Sequence, residues 1–200
     1  MRTGLILFSV LIALGLGVGC ASSQKIAKMK QGEERVVDRI PDRPPKWLNT
    51  PFEETKELFL VKGEAAKGGD GAICLRQAKA NAVQHLVEAV KIKARSEFSE
   101  AVRGVNVSEA SLGRYLDSVI AWTSENIQIS GIVPQGEYRE KVLVRTYDGV
   151  RYYYNCFARL SIPIESYMRA RETALARSTA EAQDADAKAL AEKAKEKLSR

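Results

Sequence analysis

Few side chains in this 200-residue chain could do chemistry: one histidine, three cysteines, and acids scattered among a charged fraction of 28%. His85 sits between Gln84 and Leu86, with no acid, serine or cysteine set beside it. It therefore reads as a core-edge or exposed histidine rather than an acid–base catalyst. One histidine does not supply the three or four ligands of a metal centre. Lys67-Gly68-Gly69-Asp70-Gly71 joins a strand to a helix, as phosphate-cradling loops do. It has neither the Walker nor the G-x-G-x-x-G spacing, and Asp70 would repel a phosphate, so a tight turn with a helix cap is expected. Glu53-Glu54 and Glu57 lack the pairing that glycoside chemistry needs. Ser22-Ser23-Gln24-Lys25 matches S-x-x-K in form, but without the folded context of a penicillin-binding site. Asn106-Val107-Ser108 matches a glycosylation sequon. The expectation is no enzyme, no catalytic residue, no metal and no cofactor.

The third cysteine carries a different message. Met1-Arg2 is a short positive start, and no charge follows until Lys25. Between them an apolar run from Leu5 to Leu14 gives way to Gly15-Leu16-Gly17-Val18-Gly19-Cys20. A positive start, an apolar middle and small residues before a cut describe a secretory signal. With a cysteine directly after the small residues, the segment resembles the bacterial lipobox, departing from it in Gly17, where leucine is usual. On that resemblance residues 1–19 are removed and Cys20 becomes a lipidated N-terminus. Its acyl chains would hold the protein to a membrane, at about 0.8 kcal/mol per buried CH₂. The run is short of the roughly 20 apolar residues that span a bilayer. On the same resemblance, to lipoproteins of enteric type, Ala21 rather than Asp after the cysteine implies passage to the outer membrane, with the domain in the periplasm or facing the surface.

Export changes how charge and sulfur are read. Cleavage removes only Arg2, so the formal charge falls from +6 to +5. An exported protein does not meet chromosomal DNA, so no nucleic acid is expected. Anionic headgroups or acidic wall polymers suit a mildly basic surface better, beside the plain alternative of a solvated surface. Cys74 and Cys156 form an even pair in an oxidising compartment, which permits one disulfide if their Cα atoms come within about 7 Å. One lies on a helix and the other on a strand, and these usually pack farther apart. Otherwise the two are small buried hydrophobes.

The elements that must position these residues follow from periodicity. Residues 20–44 read as a lipidated N-terminus and flexible linker, closed by Pro41, Pro44 and Pro45. Such a linker averages about 25–30 Å and reaches up to ~80 Å. The domain, residues 45–168, begins near Trp47. Glu57–Ala65 is a strand, and Asp70 caps a helix whose face is Leu75, Ala78, Ala82, Leu86, Ala89 and Val90. Ile92–Val102 alternates in part and predicts a second strand. Ser108 or Ser111 caps a second helix over Leu112, Tyr115, Leu116, Val119 and Ile120. Ile127, Ile129, Ile132 and Val133 open a third strand region running to Val144. Tyr147-Asp148-Gly149-Val150 is a hairpin turn. In the strand after it, Val150, Tyr152, Tyr154, Cys156, Ala158 and Leu160 share the inward face. Pro163 ends that strand and starts a helix. Residues 169–200 form an Ala/Lys/Glu-rich helical tail, expected to project and fray, with partner binding the sharper alternative. The fold class is α+β, a short antiparallel sheet packed by helices, in the order β-α-β-α-β-β-α.

Pro45-Lys46-Trp47, then Val61-Lys62-Gly63-Glu64-Ala65, a helix with Ala78 and Ala82 at i, i+4, and Tyr152-Tyr153-Tyr154 carry a further likeness. Over about residues 44–165, together with the lipobox, the chain resembles the Lpp-twenty family of bacterial envelope lipoproteins, which includes flagellum-associated members. The resemblance implies an α+β lipoprotein domain with no catalysis and carries over no active-site residue. Taken alone, the tryptophan reads as a core anchor, the glycine as a strand-end kink and the alanines as close helix–sheet packing. The function expected is a structural or assembly module of the envelope, with envelope or flagellar proteins as partners. The alternative is a binding module for peptidoglycan or for a wall-synthesis enzyme.

Overall fold

A computed structural model describes residues 29–129 and 131–199. Among the described residues the fold is α+β: five strands form one antiparallel sheet, one long helix packs on one of its faces, and three further helices pack against that helix and one another. The strands are β1 (Glu34–Ile40), β2 (Phe52–Glu54), β3 (Leu58–Gly68), β4 (Val133–Thr146) and β5 (Gly149–Pro163), in the spatial order β1-β4-β5-β3-β2. The helices are α1 (Gly71–Ala101), α2 (Glu109–Ile129), α3 (Ile164–Glu181) and α4 (Ala185–Leu198), with a 3₁₀ turn at Lys46–Asn49.

The period-2 pattern of β5 has its expected consequence from Cys156 onward, but Val150 and Tyr152, expected on the inward face, are not buried, because β5 there runs past its pairing with β3. Cys156, Ala158, Leu160 and Ile162 are buried toward the helices, while Tyr153, Asn155, Phe157 and Arg159 are half-buried on the opposite face. The hairpin joins β4 and β5 in register from Thr146↔Gly149 onward, with Tyr147 and Asp148 as its two loop residues. Asp70 caps α1 by accepting from the N–H groups of Ala72 and Ile73, at 2.8 and 2.9 Å. The Ser108 hydroxyl accepts from Ser111 N–H ahead of α2.

Six further expectations are corrected. The segment Ile92–Val102 is no strand: α1 runs unbroken to Ala101. Its buried residues Cys74, Ala78, Ala82, Leu86, Val90, Ala94 and Phe98 recur every fourth position. A spacing of four overshoots the 3.6-residue turn by about 40° per step. The apolar stripe therefore winds around the helix, its start on β3 and β5 and its end on the helix layer. Ile127 and Ile129 likewise belong to α2, and β4 starts only at Val133.

The linker contains a strand. Glu34–Ile40 pairs with β4, and Gly32 N–H reaches the Arg145 carbonyl at 2.8 Å, so the domain begins well before Trp47. Trp47 is no core anchor either. It is half-buried on the sheet face away from the helices, against Gly136, where a Cβ would lie 3.2 Å from its Nε1.

The C-terminal segment is two helices, not one projecting tail. Ala182 leaves the helical region at ψ 107°, and Asp184 restarts the chain by accepting from Ala187 N–H at 2.7 Å. Leu190, Ala191 and Ala194 of α4 are fully buried, in one core with Phe98, Val119, Tyr167 and Leu175. Residues 169–199 are thus part of the domain.

Gly63 is no strand-end kink. It lies mid-strand in β3, and a Cβ there would sit 2.2 Å from both the Ala78 carbonyl oxygen and the Ala82 nitrogen. Glycine on the strand and alanines on the helix let the two backbones touch. This close approach sets the geometry around Cys74 and Cys156.

Candidate functional site

Where β3 and α1 touch, the two described cysteines meet. The Cα atoms of Cys74 and Cys156 are 5.7 Å apart, and their sulfurs are joined in a disulfide that closes a separation of 82 residues. The usual helix–sheet distance does not apply, because Gly63, Ala78 and Ala82 remove the side chains that would hold the layers apart. Ala78 and Ala158 pack around the bridge, and both are fully buried. The bond ties the first turn of α1 to the centre of the sheet. Cys20, the expected lipidation site, and Ser22–Lys25 lie outside the described residues.

The single histidine stands over a groove. His85 Nδ1 lies 2.9 Å from the Lys62 carbonyl, an oxygen that can only accept, so Nδ1 carries the proton. The groove, about 480 Å³, is lined by Phe52, Phe59, Leu86, Val90 and Ile92 with Lys93 and Glu54 at its rim. Phe52 and Ile92 are 44% and 71% exposed, so apolar surface reaches solvent. Ser96 and Glu88 complete the wall, and no nucleophile is hydrogen-bonded to the imidazole among the described residues. The cleft can hold an apolar side chain; its groups are not arranged for proton transfer.

The acids near β2 are divided between faces by the pleat. Glu53 pairs with Arg159 on the face away from the helices, and Glu54 pairs with Lys93 on the other at 3.0 Å. They are cross-braces, not a pair flanking a substrate. The loop at Asp70 is occupied in a similar way. Its carboxylate takes the first N–H groups of α1, which hold it below the usual aspartate range and leave no opening for a phosphate.

Sequence reasoning missed the polar cluster that locks the helix layer. Glu97 Oε2 accepts from the Tyr167 hydroxyl at 2.8 Å and from Arg171 Nη1 at 2.9 Å. Arg171 Nη2 also donates to the Leu198 carbonyl at 3.2 Å, which binds α4 to α1 and α3. Lys93 lies over the Phe59 and Tyr167 rings, at 5.3 and 5.8 Å. Burial, then the Glu97 carboxylate, pushes the Tyr167 phenol far above its ordinary range. Glu97 and Tyr167 are 70 positions apart, and no spacing rule reaches across that distance.

Across the sheet, fully buried Tyr138 donates to Glu140 at 2.7 Å, and Lys62 donates to the Leu48 carbonyl at 3.0 Å beneath the Trp47 segment. Burial, then Glu140, raises the Tyr138 phenol to about 12. Among the described residues no group of three or more histidine, cysteine or acidic side chains could hold a metal ion. No described helix is long and apolar enough to cross a membrane.

No protein-family model, curated protein or solved structure matches this chain.

Proposed function

We propose that the chain is a bacterial outer-membrane lipoprotein, anchored through Cys20, whose α+β domain is a non-catalytic structural or assembly module of the cell envelope. One observation carries the reading: the apolar segment ending in Gly17-Val18-Gly19-Cys20 stands in the same chain as a Cys74–Cys156 disulfide. A lipobox implies export, and a structural disulfide forms and persists in the oxidising compartments to which export leads. The described ionisable groups add support of a second kind. Glu97, Tyr167 and Arg171, and Glu53 with Arg159, are engaged in joining one element to another. A flagellar setting rests on the likeness to the Lpp-twenty family alone.

The competing reading, a module for peptidoglycan or a wall-synthesis enzyme, drew on a basic surface and a long linker. Strand β1 takes up part of that linker and weakens the second support.

The test is in-cell crosslinking of the tagged protein, with the captured partners identified by mass spectrometry and Cys20→Ala as the anchoring control. Envelope or flagellar assembly proteins captured by the wild type and lost in the control are expected. Retention of Cys20→Ala in the membrane at the wild-type level refutes the anchor. Capture of wall-synthesis enzymes or wall polymer refutes the assembly role.

A further inference from the structure

The short path from Cys20 to the fold constrains which end of the domain meets the membrane. Met29 is the first described residue and is already buried. Nine residue steps separate it from Cys20, and fully extended they span about 30 Å at most. The chain then joins the sheet at one particular place. Gly32 N–H donates to the Arg145 carbonyl, and Arg145 N–H donates to the Glu33 carbonyl at 3.2 Å. Arg145 is two positions from the β4–β5 turn.

That turn projects. Strand β3 pairs with β5 only as far as Tyr154, so beyond it residues 149–153 are held by β4 alone. At the tip Tyr147 is 91% exposed, and Tyr152, close behind, is 49% exposed. Lys141 lies over the Tyr152 ring at 4.7 Å. Arg35, Lys67 and Arg151 are each paired with a carboxylate at this end. Among the described residues the Lys30, Lys141 and Arg145 side chains form no salt bridge, although the Lys30 backbone N–H donates to the Glu33 carboxylate at 2.9 Å. Every charged residue between Cys20 and Glu33 is a lysine: Lys25, Lys28 and Lys30.

We infer that the β4–β5 hairpin end, with Tyr147 at its tip and Lys30, Lys141 and Arg145 behind it, seats on anionic lipid headgroups beside the anchor. The inference rests on the lipoprotein reading above. Exposed tyrosines carry an apolar ring and a polar hydroxyl, which suits the boundary between headgroup and acyl chain. Cations are drawn to an anionic leaflet within a Debye length of its surface. A tether of about 30 Å is shorter than β4 is long, so it cannot reach if the far end of the sheet faces the bilayer and this end points away.

The mature, lipid-modified protein is reconstituted in vesicles of phosphatidylethanolamine and brominated phosphatidylglycerol, and tryptophan emission is read. Trp47 and Trp122 give the baseline. Tyr147→Trp adds a reporter at a position with no packing to lose. Val133→Trp adds one at the other end of β4, about 45 Å away at 3.3 Å per residue. The expected result is loss of roughly a third of the Tyr147→Trp emission, one tryptophan in three, with Val133→Trp unaffected. Raised salt, or Arg145→Glu together with Lys30→Glu, should reverse the quenching. Equal quenching of both variants, or of neither, overturns the inference, as does quenching that ignores salt. The mass of the mature N-terminal peptide separates the two levels. An unacylated Cys20 refutes the lipoprotein reading and this inference with it, whereas acylated protein with an unquenched hairpin refutes this inference alone.

Discussion

Gly63→Ala should be among the most damaging single-methyl additions to this domain. The added Cβ would lie 2.2 Å from the Ala78 oxygen and the Ala82 nitrogen. Both atoms are helix backbone, so no side chain can swing aside and α1 must withdraw by about 1 Å. Withdrawal would open space beside Ala78, Ala82, Cys156 and Ala158, all buried. Overpacking of this kind costs about 1–3 kcal/mol, and the loosened contacts place the expected loss near the upper end, about 3 kcal/mol. With a urea slope of about 2 kcal/mol per molar, the unfolding midpoint should fall by about 1.5 M. Gly113→Ala is the control: it lies in α2 with nothing within 4 Å of its added methyl. It should raise stability by about 0.5–1 kcal/mol, because alanine loses less backbone freedom than glycine on entering a helix. Urea titration of both variants under oxidising conditions decides the matter. A midpoint for Gly63→Ala within about 0.3 M of wild type would refute the claim that the two backbones are in contact.

Three further outcomes follow from the structure. Replacing both Cys74 and Cys156 by alanine releases an 82-residue separation, which should cost about 4 kcal/mol by loop-closure entropy; equal thermal stability of oxidised wild type and the double variant would show the bond is not formed. Leu190→Ala should cost about 3 kcal/mol in urea unfolding, since the side chain is fully buried in the common core; a neutral result would return α4 to the status of a frayed tail. The raised Tyr138 phenol stabilises the fold fully below its ordinary value near 10, and that contribution is lost as pH rises from 10 to about 12, because the unfolded chain gives up its proton first. Tyr138→Phe should flatten, without abolishing, the decline in stability across that window, as buried Tyr115 and Tyr167 are raised as well; a slope identical to wild type would remove Tyr138 from the account.

Local rules were sufficient where one side chain or one period decides the structure. Asp70, Ser108, Pro163 and the Tyr147-Asp148-Gly149 turn act through neighbours within a few residues, and each stands at the boundary expected of it. The β5 pattern was legible because helices cover one side of it and solvent reaches the other. The C-terminal half of α1 was not, because its stripe recurs every four residues and winds from the sheet to α2, α3 and α4. A winding stripe looks like partial alternation in a short window. The break at Ala182–Asp184 carries no glycine or proline, so propensity ran straight through it. Only Asp184 as a cap, with Leu190, Ala194 and Leu198 at fourfold spacing beyond it, marks a separate amphipathic helix.

Strand β1 was the most consequential omission, and its reason is physical. Its residues Glu34–Ile40 are mostly exposed, since β1 is an edge strand held by main-chain pairing with β4. An edge held by backbone bonds needs no apolar run, so the charge pattern that suggested a linker is equally compatible with a strand. The functional consequence is a matter of length. A linker of ~24 residues would let the domain adopt any orientation at up to ~80 Å from the anchor. A span of about 30 Å ending beside the β4–β5 turn does not. On the proposed lipoprotein reading, the shorter tether would favour partners that come to the membrane surface over a polymer that the domain must reach out to find. On that reading it would also present the groove of Phe52, Phe59 and His85, which lies toward the opposite end of the sheet, away from the bilayer. Lengthening the chain between Cys20 and Met29 with a Gly/Ser insert therefore separates anchoring from placement. If orientation matters, an insert of about 20 residues should leave membrane retention intact and reduce partner crosslinking. Unchanged crosslinking would show that the anchor alone, not the seat of the domain, is what the envelope requires.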